Sequence, residues 1–252
     1  MDHASRFVFS GPGTWPLERS IKWAADHAFG RVDFNADGPP NYPATFTPER
    51  VRAVRSLAER RGVRLGVHSL SAVNMAEITP VMAAAANEYV RQNLDLAWAL
   101  GGDYVICHGG FHFSSDYERR FEAAIARMQR AAALAEDRGV DIYFENHNKE
   151  PEHAEIKYIP HTVAEMRRFF DAIESPRFKW ACNTGHALLV PEGYVGFLDA
   201  FGVERIGQVS LHDTNGEWEE HFLPGEGIVD FPRLFRDLHA RGYRSPFTLD
   251  FG

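Results

Sequence analysis

The chain has 252 residues, 44% of them hydrophobic and 25% charged, with a formal net charge of −8. That size and apolar content suit one globular domain over 1–252, and the acidic balance argues against a protein built around a nucleic-acid backbone. Two cysteines are too few for a disulfide framework, 1–13 lacks a basic leader with an apolar stretch, and no window reaches the roughly 18 apolar residues of a membrane span, so a soluble, cytoplasmic protein is expected.

Short β-prone runs alternate with longer amphipathic ones. The first strand is expected over 6–10 and its helix over 17–29. The pairs then repeat as 31–35 with 48–61, 64–68 with 80–100, 103–108 with 117–138 and 140–145 with 163–174. They continue as 178–183 with 192–201 and 206–212 with 232–241, before a last strand over 246–250. Thr47-Pro48 and Thr79-Pro80 read as N-caps followed by proline in the first turn. Gly62, Gly101, Gly139 and Gly242 stand where helices end and need a left-handed residue.

Eight strands alternating with helices, without an antiparallel hairpin signal, imply a parallel sheet closed into a (β/α)8 barrel. An open doubly wound sheet fits less well, because no glycine-rich phosphate turn follows the first strand. The sequence stops two residues after Asp250, so the helix that normally follows strand eight is not expected. The outer face of that strand, Phe247 and Leu249, then needs a subunit contact in a homo-oligomer or a reorganised neighbouring helix as cover.

Six consecutive strands end in His68, His108, Glu145, Asn183, His212 and Asp250. Asp and Glu number 35 and His 12 in the whole chain, so five of these types at six strand ends exceed chance. Singly, each has a plainer reading: a lone histidine is more often structural, Glu145 could cap a helix, and Asn183 could be a turn residue. In a parallel barrel, however, all these ends share one rim. Cys107 and Cys182 each precede a rim residue and should therefore face the helix layer as small apolar side chains. His186, Glu219 and His221 extend the set. Nitrogen and oxygen donors without thiolate suit Zn, Mn, Co, Fe or Mg, and Glu145 could bridge two ions. No organic cofactor is expected.

The runs Tyr143-Phe-Glu-Asn-His147, Asn183-Thr-Gly-His186, His212-Asp-Thr-Asn-Gly216, Glu219-Glu-His221 and Pro224-Gly-Glu-Gly227 resemble the xylose isomerase-like TIM-barrel superfamily, over essentially the whole chain. That group holds sugar isomerases and epimerases, inositol-pathway enzymes and the endonuclease IV branch. The resemblance implies one divalent ion held by Glu145, Asn183, His212 and Asp250, with Glu145 and Asp250 shuttling a proton through an enediolate. Asn183 departs from the pattern as a neutral amide in place of a carboxylate. Asp250 is shorter than the expected Glu by one bond of about 1.5 Å.

The endonuclease branch adds metals at positions matching His68 and His108, and at His186, Glu219 and His221. Phosphodiester cleavage of abasic DNA is therefore the second expectation, since no basic, aromatic-tipped loop for bent DNA is evident. A lyase or decarboxylase acting on an oxidised sugar uses the same enediolate, and a metal-poor sugar-binding barrel is a third class. The expected substrate is a small polyhydroxylated sugar, keto-sugar or cyclitol. His186, Asp213, His108 and His68 are candidates to hold its hydroxyls, and Trp15, Phe111, Phe113 and Trp218 to stack on it or pack as a lid. Lys149, His153 and Lys157 could meet a phosphate or carboxylate, with a solvated loop the plainer reading.

Overall fold

The computed structural model describes residues 6–113 and 115–250. The first five residues of the amino terminus, where no leader is expected, lie outside the described residues. The elements run β1 (Phe7–Ser10), α1 (Leu17–Asp26), β2 (Arg31–Asn35), α2 (Pro48–Arg61), β3 (Arg64–His68), α3 (Pro80–Leu100), β4 (Tyr104–Cys107), β5 (Phe111–Phe113) and α4 (Tyr117–Arg138). They continue as β6 (Asp141–Glu145), β7 (Ile156–Tyr158), α5 (Val163–Ala172), β8 (Phe178–Asn183), α6 (Thr184–Leu188), α7 (Gly193–Phe201), β9 (Ile206–Leu211), α8 (Phe231–Ala240) and β10 (Phe247–Leu249). Eight strands close in the order β1-β10-β9-β8-β6-β4-β3-β2, every neighbouring pair parallel. No helix among the described residues is long and apolar enough to cross a membrane.

The caps behave as side-chain chemistry requires. Thr47 Oγ1 accepts the Arg50 N–H at 3.3 Å, and Gly62, Gly101 and Gly139 end α2, α3 and α4 in the left-handed region. Thr79 stands at the N-cap of α3 without a side-chain cap bond, and its own N–H donates to Glu77 Oε1 at 2.8 Å.

Two short elements escape the sequence pattern. β5 and β7 form an antiparallel pair outside the barrel, Phe111 opposite Tyr158 and Phe113 opposite Ile156, and are not a hairpin, since α4 and β6 lie between them in the chain. Three residues per strand carry no readable alternation, and the partners sit in different loops. α6 begins directly at β8, where the Asn183 side chain accepts the His186 N–H.

Inside the barrel, Tyr104 and Tyr143 stack at 4.2 Å, and the lack of side chains at Gly66 and Gly207 makes room for their rings. The Tyr104 hydroxyl donates to Asp33 Oδ1, and Gln208 Nε2 donates to Asp33 Oδ2 at 3.1 Å. Outside the barrel wall, Cys107 and Cys182 are buried in the helix-facing core, as alternation requires, and burial pushes the Cys107 thiol up to about 12. At β10 a neighbouring helix supplies cover for Phe247. Phe247 packs on Phe235 of α8 at 5.3 Å and on Tyr243 at 5.2 Å, leaving it 6% exposed.

Candidate active site

Parallel register brings the six strand-end residues to one rim. Glu145, at the end of β6, is buried, and its two oxygens face different neighbours. Oε1 accepts from Asn183 Nδ2 at 3.0 Å and lies 3.5 Å from His186 Nδ1. Oε2 has no hydrogen-bond partner and stands 3.7 Å from His108 Nε2 and 4.0 Å from His68 Nε2. Burial holds the Glu145 carboxyl above its usual range, against the pull of His186 and His68, and Asp250 adds to the rise.

Asn183, wholly buried at the end of β8, joins the rest of the rim. Its Oδ1 accepts the His186 backbone N–H at 3.1 Å and lies 2.7 Å from His212 Nε2. Its Nδ2 donates to Glu145 Oε1 and, at 3.3 Å, to Asp250 Oδ2. The four positions expected to share one ion therefore do meet, and the Asn183 amide hydrogen-bonds them together.

A second cluster lies beside them. Glu219 Oε1 accepts from His186 Nε2 at 3.2 Å and from His221 Nε2 at 3.0 Å, which holds Glu219 well below the usual carboxylate range. Burial works against charging His221, yet the Glu219 bond and Asp250 push it up to about 9. His186 is likewise raised despite its burial, by Glu219 and Glu145. Its Nδ1 donates to the Asn146 carbonyl at 2.9 Å, so both ring nitrogens of His186 face acceptors. Burial, with His186 and His221 nearby, pulls His212 down to about 4.

Two trios place one donor atom each within 4.8 Å of one another: His68, His108 and Glu145, and His186, His212 and His221. The first fits a divalent cation best. It combines imidazole nitrogens with a buried carboxylate oxygen that nothing else satisfies. A cavity of about 150 Å3 opens beside it, lined by Ser10, Asp33, Asn35, His68, Ser69 and His108. A larger cavity of about 570 Å3 lies at the opposite end of the barrel. Its basic side chains outnumber its carboxylates, with Arg31 3.2 Å from Asp103 and Lys179 2.6 Å from Asp141, and it holds none of the candidate catalytic groups.

Asp213 is buried, and its carboxylate accepts the N–H groups of Thr214 at 3.0 Å, Gly225 at 2.8 Å and Val229 at 3.0 Å, which anchors the loop after β9. Burial opposes its ionisation, but the N–H donors of Val229, Gly227 and Gly225 hold it below its usual value. The aromatic residues mostly pack. Trp15 lies under the Arg19 guanidinium at 3.7 Å, Phe111 meets Tyr158 edge-on at 6.0 Å, and Phe113 faces Arg120 at 5.2 Å. Trp218 alone of these is largely exposed. Lys157 stands 3.7 Å from Glu152, His153 is exposed and Lys149 half-buried, in keeping with a solvated loop.

Sequence reasoning missed Asn146 and His147, although both sit in the Glu-Asn-His run that carries the resemblance. Asn146 Oδ1 accepts from the Asn183 N–H and from Trp180 Nε1, each at 2.9 Å. His147 is buried, stacks on Tyr158 at 4.6 Å and lies 5.0 Å from His108, with no partner for Nε2.

Among known proteins, the L-ribulose 3-epimerase of Methylomonas sp. (strain DH-1) is 28% identical over 184 residues, covering 71% of this chain and 60% of that protein. A solved D-tagatose 3-epimerase-like protein superposes with a TM-score of 0.82 at 21% identity, over 98% of this chain and 90% of the other. A D-psicose 3-epimerase from Clostridium cellulolyticum H10 gives 0.76 at 17% identity, over 96% and 83%. The profile of the family described as "Xylose isomerase-like TIM barrel" matches residues 21–251, and the chain belongs to that family.

Proposed function

We propose that this protein is a ketose 3-epimerase acting on a small, polyhydroxylated sugar. The observation that carries the reading is the pair of carboxylates, Glu145 from β6 and Asp250 beyond β10, both held by the amide of Asn183. Inverting a carbon next to a carbonyl requires a proton to leave one face and return on the other, hence one base on each side. Glu145 and Asp250 fill those roles, and burial lifts Glu145 toward the range where a carboxyl can both take and give a proton. A divalent cation held by His68, His108 and Glu145 supplies, when bound, a Lewis acid for the substrate carbonyl.

The likeness to proteins named as L-ribulose, D-tagatose and D-psicose 3-epimerases supports C3 of a ketose as the reacting carbon. The test is incubation of the metal-supplemented protein with L-ribulose, D-tagatose and D-psicose in deuterated buffer. The expected result is a C3 epimer carrying deuterium at that carbon. Metal-loaded protein that introduces no isotope into any of these or related ketoses would defeat the reading.

A second reading, multinuclear phosphodiester cleavage, draws on the two histidine clusters that flank Glu145. It predicts nicking of a duplex carrying an abasic site, an assay in which the epimerase reading predicts no product.

A further inference from the structure

We propose that the cavity at the amino-terminal ends of the barrel strands is a second binding site, one that takes a phosphate group, free or carried as the ester of a small molecule. The inference does not depend on which reaction the rim performs. The strand starts supply the walls: Arg31 opens β2, Arg64 opens β3, Asp141 opens β6, and Lys179 is the second residue of β8. Register keeps them together, since Arg31 lies opposite Arg64 and the Asp141 N–H donates to the Asp103 carbonyl at 2.9 Å. Their charges converge on one concave space of about 570 Å3.

The charges there come two against one. Asp103 Oδ2 faces both Arg31, at 3.2 Å, and Arg64, at 2.5 Å. Asp141 faces Arg177 at 2.9 Å and Lys179 at 2.6 Å, one on each oxygen. One cation would neutralise each carboxylate, so each group keeps a positive charge that its own acid does not offset. Arg244, whose guanidinium donates to the Tyr243 carbonyl at 2.9 Å, and Glu204 cancel in number. The whole chain has a formal charge of −8, yet this concavity is lined by five basic side chains and three acidic ones. Such an excess of two positive charges, held between protein walls, focuses the field on an anion, and a phosphate dianion matches it. Guanidinium groups also present paired N–H donors in the geometry that phosphate oxygens accept.

The floor of the cavity adds a donor. Tyr143 is 6% exposed, borders the cavity, and lies with its ring over Gly207, where any side chain would collide with it. The hydroxyl of its stacking partner Tyr104 is taken by Asp33, but that of Tyr143 has no hydrogen-bond partner among the described residues. Burial, then the Asp141 carboxylate, raises this phenol above its ordinary value against the pull of Arg31, so it keeps its proton at neutral pH. Guanidinium and ammonium groups cannot accept that proton in a hydrogen bond, whereas a phosphate oxygen can.

The experiment titrates the full chain by calorimetry, with inorganic phosphate in one arm and ribose 5-phosphate in the other. Saturable binding with a Kd of about 1 mM or tighter is expected. Equal affinities mean that the free ion suffices, and a tighter ester means that the rest of the molecule fills the cavity; either result supports a phosphate site. Arg64→Gln and Arg177→Gln, which leave one cation on each carboxylate, are each expected to weaken binding about 10-fold or more, and Tyr143→Phe by a similar factor. Asp141→Asn, which leaves Arg177 and Lys179 unopposed, is expected to tighten it roughly 3-fold or more, a gain that a purely structural ion pair does not predict. The proposal is overturned if phosphate shows no saturable binding up to about 10 mM. It is overturned equally by an affinity unchanged in the arginine variants or in Tyr143→Phe, or by one that falls in Asp141→Asn. Arg64 and Arg177 are 58% and 38% exposed, so their replacement does not endanger the fold. Binding is read at the far end of the barrel from the rim, so failure to epimerise a ketose is a separate result.

Discussion

Asn146 grips both peptide groups of Asn183: its Oδ1 accepts the Asn183 N–H and its Nδ2 donates to the Asn183 carbonyl, each at 2.9 Å. The same Oδ1 takes the Trp180 indole N–H, and the Asn146 carbonyl takes His186 Nδ1. Just past β6, the Asn146 side chain thus fixes the end of β8, and its backbone carbonyl holds His186 of α6. Asn146→Ala would leave several buried groups unpaired and is expected to lower stability by about 3 kcal/mol. Urea denaturation checks this. A loss below about 0.5 kcal/mol, ordinary for a surface site, would contradict the clamp.

The two carboxylates should separate by isotope. Glu145→Gln is expected to lower epimerisation by roughly 10²–10⁴-fold, while Asp250 still exchanges the C3 proton of one epimer with solvent. Asp250→Asn should show the mirror result, with label entering the other epimer. Nuclear magnetic resonance of each ketose in deuterated buffer distinguishes them. Equal labelling of both epimers by either variant would remove that carboxylate from the proton path.

Asp213 should behave as a loop anchor. Asp213→Ala leaves the N–H groups of Thr214, Gly225 and Val229 without their acceptor, at an expected cost of about 2 kcal/mol or more. Limited proteolysis should then cut within 214–229. Because those donors depress its pKa below the ordinary 3.8, the contribution is complete at neutral pH and fades only as acid reaches the depressed value. A variant with native melting and only a raised KM would return Asp213 to the substrate.

Asp33 carries the opposite sign. Burial in the barrel raises its pKa, although the Tyr104 and Gln208 hydrogen bonds resist. The folded state therefore keeps a proton that the unfolded state has released, and stability declines as pH climbs from about 3.8 through the raised value. Asp33→Asn keeps an acceptor for Tyr104 and adds an N–H for Gln208 Oε1, which is now buried without a partner. It should unfold at higher urea than the wild type at pH 7, with the advantage shrinking toward pH 4. A constant difference across that interval would contradict a raised Asp33 pKa.

The barrel and the rim could be read from the chain because each rests on a repeated local signal. An alternating strand, a helix closed by glycine and a polar residue at the strand end recur from His68 to Asp250. What escaped depends on pairings that no local pattern encodes. Asn146 acts only because β6 and β8 run side by side, with Glu145 opposite Ala181. Asp213 reads in sequence as a partner for substrate hydroxyls, and only the closed loop shows the three backbone N–H groups that its carboxylate accepts. Asn183 was noticed as a departure, yet which way its amide faces is decided by a backbone N–H three residues later.

The pairing of β5 with β7 ties together the segments that follow β4 and β6, two separate repeats of the barrel. Neither segment is then free to diverge alone. A stretch transplanted from a relative into one of them would arrive without its mate, and Tyr158 would lose Phe111 on one side while His147 lost its cover on the other. Whoever reshapes this mouth by exchange of segments should move the two as a single cassette.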